Sequence, residues 1–271
     1  MKITVIGGHG LVGARLVSTL RHRGHEVIVA SRRSGVDALS GEGLANAVAG
    51  ARVVVDVLNS PSFDGDSVMH FFSTSGRNLH AAEVAAHVRH HIALSIVGTD
   101  RLQHSDYFRA KLLQEELVQA SPVPHTILRS TQFFEFLPRI AEPGNDGRAM
   151  RVPPVLAQPI AVQEVAAALA DLTTQAPRNG MLEHAGPECF ELDELVRRVL
   201  HANQDSREVI ADAHARYFGA TLERDTLLPD EGAIVGVSRF SDWLNRSIEL
   251  GLFHLPLSGA ATPARQSALS T

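Results

Sequence analysis

The chain has 271 residues, 44% of them hydrophobic, and a formal net charge of −5. That is enough apolar material for one large α/β domain, or for one with a small appendage. The basic clusters (Arg21/Arg23 and Arg32/Arg33) are short, so no nucleic-acid partner is expected. No apolar run is long enough to span a membrane, and Met1 leads into a strand pattern rather than a signal peptide. The single cysteine, Cys189, excludes an internal disulfide framework, fits a reducing cytoplasm and reads as a small packing residue. The fourteen histidines are scattered. Pairs such as His90-His91 lack the helical spacing of a metal motif, and no metal site is expected.

Strand-like and helix-like runs alternate, as in a parallel sheet with crossover helices. Residues 2–6 predict a first strand and 11–23 a helix that Gly24 ends. A second strand covers 26–30, a short third 36–39, and a short helix at 44–48 stops at Gly50. The valine-rich run 52–58 reads as a strand covered on both faces. After a turn at 61–66 a helical pattern continues to about residue 88. A strand at 92–97, an amphipathic helix at 106–119 and a strand at 125–129 follow, with Pro122 and Pro124 breaking the helix. Then the character changes. Phe133, Phe134 and Phe136 bunch together, and prolines and glycines recur to Pro159, a composition that suits substrate-binding loops. Three close phenylalanines also suit a plain core. Helices resume at 162–172 and 192–200, and the small, polar residues 258–271 are expected to form a disordered tail.

The first strand runs into the first helix through Gly7-Gly8-His9-Gly10-Leu11-Val12-Gly13, a bend with almost no side chains. In the pattern G-x-x-G-x-x-G, Gly7 lets the chain reverse tightly and Gly10 lets a pyrophosphate approach the backbone. Gly13 lets the helix lie close on the sheet. The helix start, at Leu11 and Val12, points N–H groups at the phosphates. Glycines also make ordinary loops; the setting between a β-branched strand and a helix is what marks a dinucleotide site.

At the end of the second strand an acidic residue would accept from a ribose 2′-OH, whereas a basic one would pair with a 2′-phosphate. Ser31-Arg32-Arg33 stands there, so NADP(H) is expected over NAD(H); the alternative leaves both arginines as solvated loop residues. Asn59, closing the valine-rich strand, faces the same crevice and equally serves an Asn-Ser-Pro turn. Tyr107 and Lys111 share one helical face. An ammonium beside a phenol favours its ionised form, and such a tyrosine exchanges a proton while a nicotinamide moves hydride. The same spacing also occurs in plain surface pairs. Ser95 either hydrogen-bonds a substrate carbonyl or is a small buried strand residue.

These features, taken in order with Leu94-Ser95-Ile96-Val97-Gly98, resemble the atypical short-chain dehydrogenase/reductases, specifically the NmrA-like group of NAD(P)H-binding proteins. Gln114-Glu115-Glu116, Thr126-Ile127-Leu128-Arg129, Gln132-Phe133-Phe134-Glu135-Phe136 and Gln158-Pro159-Ile160-Ala161-Val162 match as well. So do Tyr217-Phe218-Gly219-Ala220 and the stretch 240–244, and the resemblance spans most of residues 1–250.

The resemblance implies a doubly wound parallel Rossmann-type sheet with a smaller C-terminal substrate part. On that plan 1–130 form the dinucleotide-binding core, 158–185 return to it, and 131–157 with 186–257 bind substrate. A dinucleotide is implied along residues 7–13, Arg32, Asn59 and Lys111. Two functions follow. One is an NADPH-dependent reductase of a small carbonyl or quinone. There Tyr107 is the acid, Lys111 holds the ribose and lowers the phenol's pKa, and Ser95 or Thr99 orients the oxygen. The other is a non-catalytic NADP(H) sensor that reports redox state to a protein partner. Many members keep only the lysine of the Tyr–Lys pair, whereas this chain has both. Ser95 is closer in sequence to Tyr107 than in catalytic relatives, so the resemblance alone does not unite Ser95, Tyr107 and Lys111 in one site.

Overall fold

A seven-stranded, wholly parallel sheet runs through the computed structural model, which describes residues 1–63, 65–140, 142–145 and 147–251. The first half is β1 (Lys2–Ile6), α1 (Leu11–His22), β2 (Glu26–Ala30), α2 (Leu44–Val48), β3 (Val53–Asp56), α3 (Gly65–Ala85), β4 (His90–Ile96), α4 (Asp106–Ala120) and β5 (His125–Ser130). Then come α5 (Leu137–Ile140), β6 (Ala149–Val152), β7 (Leu156–Ala157), α6 (Val162–Leu172) and β8 (Gly180–Ala185). The chain continues through β9 (Phe190–Glu191), α7 (Leu192–Ala202), β10 (Glu208–Ala211), β11 (Ile234–Val235) and α8 (Phe240–Glu249).

The strand order is β11-β8-β5-β4-β3-β1-β2. From β1 the chain steps outward to β2, then returns to build β3 on the other side of β1. That reversal opens a crevice at the C-terminal ends of β1 and β3, where ligands of such sheets bind. Both faces are covered, which is why β3 reads Val-Val-Val-Asp with every residue buried. On one face Leu16 and Leu20 of α1 and Val165 and Leu169 of α6 pack on Ile3, Val5, Val55 and Ile92. On the other, Leu44, Val48 and Leu79 pack on Ile6 and Val54.

The C-terminal residues share a core with the first half: Leu195, Val196 and Val199 of α7 cluster with Phe134, Met150 and Phe240 and with Phe72 of α3 and Phe108 of α4. Two small sheets, β6 with β10 and β7 with β9, lie outside the central one. The stretch 186–251 also sends β11 back to the edge of the central sheet beside β8.

The expected strand at 36–39 is absent. Asp37 folds the chain instead: its carboxylate accepts from the Leu39 N–H at 2.8 Å, the local turn chemistry that competes with extension. Strand β8 carries no clear sequence signal, because Gly-Met-Leu-Glu-His-Ala has little β-branched character; its pairing with β5 makes it a strand. Cys189 is exposed, not packed. The expected tail, 258–271, lies outside the described residues. Among those described, no helix is long and apolar enough to cross a membrane.

A buried ion pair ties α4 to β5. The Arg129 guanidinium donates to both Glu115 carboxylate oxygens, at 2.9 and 2.7 Å, and to Asp100 at 3.0 Å. Removing the cation strands Glu115 in the interior, where an uncompensated charge costs about 3–5 kcal/mol. Arg129→Leu is therefore expected to lower the urea-unfolding free energy by that order. A drop under about 1 kcal/mol would contradict the reading, since that is the range of an exposed pair.

Candidate functional site: a dinucleotide crevice

Gly7 leaves β1 with φ of +81°, a region that favours glycine, and its N–H donates to the Ala30 carbonyl at 2.8 Å. This bond pins the turn to the end of β2. Gly13 allows the close approach of α1: a Cβ there would fall on the Gly7 carbonyl oxygen and lie 2.7 Å from the Gly8 Cα. Gly10 is the N-cap of α1, no side chain caps the helix, and its first turn holds no acidic residue. The N–H groups of Leu11, Val12 and Gly13 thus lack intrahelical partners and face outward with the positive end of the helix dipole. A bare, uncapped and uncharged cradle of this kind fits a diphosphate.

Beyond β2 the chain passes Ser31 into a tight 3-10 turn, Arg32–Ser34. The Ser31 N–H donates to Ser34 Oγ at 2.9 Å, and Ser31 Oγ hydrogen-bonds His9 Nδ1 at 2.7 Å. His9, which sequence reasoning passes over, therefore joins the glycine turn to the end of β2. The Arg32 and Arg33 side chains are exposed, and no described residue gives either guanidinium a hydrogen bond or an ion pair.

At the end of β3, the Asn59 side-chain oxygen accepts from the Tyr107 hydroxyl at 3.1 Å and from the Ser60 N–H at 3.0 Å. Tyr107 lies in the first turn of α4, buried against Phe63, Phe108 and Phe218 with ring centroids 4.9, 5.3 and 5.7 Å away. Burial pushes its phenol pKa up, against a smaller downward pull from Asn59. The phenol is therefore neutral. This corrects the expectation that Lys111 favours the phenolate: desolvation decides, and the ammonium is engaged elsewhere.

Lys111, one turn further along, is equally buried. Its Nζ donates to the Leu94 carbonyl at 2.9 Å and to Gln114 Oε1, and lies 5.1 Å from the Phe72 ring centroid. Gln114 in turn donates to Asp56 at 2.9 Å. Ser95 follows Leu94; its buried hydroxyl has no hydrogen-bond partner among the described residues. The Thr99 hydroxyl donates to the Ile96 carbonyl at 2.7 Å, back onto the end of β4. The structure thus unites Asn59 with Tyr107, and Lys111 with the strand that carries Ser95. No hydrogen bond joins Ser95, Tyr107 and Lys111 to one another.

Residues 7–176 match a family model described as NAD(P)H-binding, which covers the crevice and most of the central sheet. The chain belongs to this NAD(P)H-binding family. No curated protein matches it. Among solved structures, it is similar to the UDP-glucose 4-epimerase of Thermus thermophilus in complex with NAD. The identity is 19%, the TM-score 0.65, and the match covers 84% of this chain and 92% of that one. A short-chain dehydrogenase/reductase superfamily protein from Agrobacterium tumefaciens with bound NAD is similar at 17% identity and TM-score 0.66, over 93% and 97% of the two chains. A dTDP-4-dehydrorhamnose reductase from Clostridium acetobutylicum is similar at 14% identity and TM-score 0.66, over 93% and 100%. At these identities the likeness is one of fold.

In this NAD(P)H-binding chain the C-terminal part meets the crevice through Phe218. Ser105 Oγ donates to the Phe218 carbonyl at 2.6 Å, and the residue takes a positive φ of 47° that a side chain rarely adopts. Phe136 stacks on it at 6.4 Å, whereas Phe134 is plain core beside Phe240 and Trp243. Sequence reasoning also misses Asp56 and Gln114 as site residues. The usable signal is the lone carboxylate in an otherwise apolar strand.

Burial lowers the Lys111 pKa from 10.5 to about 8, against the opposing pull of Asp56 and Glu115. Between those values the unfolded chain holds more protons than the folded one. Stability contributed by this group is therefore missing below pH 8, rises toward 10.5 and is complete above it. Urea midpoints at about pH 7.5 and about pH 9.5 check this. The wild-type protein should gain on Lys111→Met over that interval, and a constant difference would contradict it.

Proposed function

We propose that this protein is an NADPH-dependent reductase of a small carbonyl or quinone. The observation that carries the reading is the neutral, buried Tyr107 hydroxyl, held by Asn59 at the mouth of the crevice. When bound, the nicotinamide supplies hydride. The backbone of residues 7–13 holds the diphosphate through the N–H groups of Leu11, Val12 and Gly13. Ser31, Arg32 and Arg33 hold the 2′-phosphate. Tyr107 donates its proton to the substrate oxygen as hydride transfer makes that oxygen basic. An ammonium has three N–H donors; Lys111 directs two at Leu94 and Gln114, so the third is available to a ribose hydroxyl. Ser95, whose hydroxyl is buried and unpaired among the described residues, orients the substrate. Phe63, Phe136 and Phe218 wall the site with flat apolar surface, which favours a planar acceptor over the nucleotide sugars named for the epimerase and the rhamnose-type reductase.

The lack of a hydrogen bond linking Ser95, Tyr107 and Lys111 favours a second reading, a non-catalytic NADP(H) sensor that reports to a protein partner. NADPH consumption over a panel of quinones and aldehydes separates the two. Turnover supports the reductase; tight coenzyme binding with none across the panel supports the sensor.

The coenzyme preference has its own test. The double substitution Arg32→Ala/Arg33→Ala is expected to weaken NADPH by about 1.5–3 kcal/mol for each charge-assisted hydrogen bond removed, and NADH far less. Calorimetric titration of both coenzymes reads this, and equal weakening would reject the 2′-phosphate assignment.

A further inference from the structure

Far from the crevice, at the N-terminal end of the sheet, histidines that look scattered in the sequence converge. His80 and Glu83 share one face of α3, three positions apart, and His91 faces them from β4. His80 Nδ1 lies 3.1 Å from one Glu83 carboxylate oxygen, and His91 Nδ1 lies 2.7 Å from the other. Glu83 is completely buried, His91 nearly so, and the His80 side chain is 12% exposed. Among the described residues, no lysine or arginine pairs with this carboxylate. A carboxylate so deeply enclosed needs compensation, and the two imidazoles supply it here, either as imidazolium donors or as fellow ligands of a metal ion.

We propose that His80, Glu83 and His91 form a binding site for a divalent metal ion of the zinc class. Two imidazoles and a carboxylate are a borderline donor set that suits zinc or cobalt better than magnesium or calcium. The three donor atoms already lie within 4.8 Å of one another. A tetrahedral ion with bonds of about 2.0–2.2 Å asks for donors roughly 3.3 Å apart, so side-chain adjustment suffices without movement of the backbone. His80, at the surface end, gives the ion its entry.

A second observation points the same way. His91 Nε2, His125 Nε2 and His90 Nδ1 are buried and have no hydrogen-bond partner among the described residues. His125 stands opposite His91 in the β4–β5 register. Unpaired buried imidazoles are destabilising on their own and add nothing to an apolar core. Of these, His125 shares the sheet face of His91 and is a further donor for the same ion; His90, its strand neighbour, points to the other face, and the His91 ring can give the ion only one nitrogen.

The test uses the full chain, stripped with a chelator and titrated with Co²⁺. One equivalent should bind with the intense visible absorption of tetrahedral cobalt, Zn²⁺ should bleach it, and Zn²⁺ should raise the Tm. His80→Ala and Glu83→Gln should each weaken Co²⁺ by more than about tenfold, the cost of losing even an outer partner of a ligand. NADPH affinity should not change. If Glu83→Gln fails to fold, His80→Ala decides alone, because its side chain reaches the surface. No visible band on Co²⁺ addition, or a band and stoichiometry unaltered in His80→Ala, would overturn the site and assign any uptake to surface histidines. Neither result depends on whether the protein is a reductase.

Discussion

Tyr107→Phe is expected to cut the rate of NADPH-dependent reduction by about 10²–10⁴-fold, the range typical of losing a positioned general acid. NADPH affinity should stay within about twofold, because the hydroxyl that is removed bonds to Asn59 and to no part of the glycine cradle. The ring itself is retained, so packing against Phe63, Phe72, Phe108 and Phe218 survives. Initial-rate kinetics on the best acceptor, with coenzyme titration in parallel, read both quantities. A variant that keeps most of the wild-type rate would remove Tyr107 from the chemistry, and with it the strongest support for the reductase reading.

Gly13→Val is expected to be the most damaging single change for coenzyme binding. Its Cβ would coincide with backbone, not with the movable end of a side chain, so either α1 lifts from the sheet or the turn opens. Losing one hydrogen bond to a charged group costs about 1.5–3 kcal/mol, roughly 10–150-fold in affinity. NADPH affinity should therefore fall by about tenfold or more, accompanied by a lower Tm. Gly10→Ala provides a graded comparison. Its Cβ would meet the Gly7 oxygen at 3.2 Å, a distance that a shift of a few tenths of an ångström relieves. The expected order of damage is Gly13→Val well above Gly10→Ala. The reverse order, or equal and small effects, would show that the turn does not set the coenzyme site.

The outer frame of this fold is legible in the sequence because its signals are local. Strand β1, the glycine bend, α2 and α6 stand where apolar periodicity and breakers put them. Asn59 and Tyr107 each stand out separately, and the parallel sheet brings them to hydrogen-bond distance. What the sequence hides depends on long-range contact. Strand β8 exists through its pairing with β5. His9 matters because Ser31 lies across the turn from it. Helical spacing matches Lys111 with its neighbour Tyr107, yet its partners come from β4 and from one turn further along α4. The histidine cluster is the sharpest case, since residues 80 and 91 meet only when α3 folds back on β4.

Coenzyme titration of the purified chain, followed by fluorescence or calorimetry, addresses the crevice most directly. The cradle at residues 7–13 predicts saturable binding of one NADPH per chain, tighter than NADH. A properly folded protein that binds neither coenzyme, oxidised or reduced, would contradict that assignment.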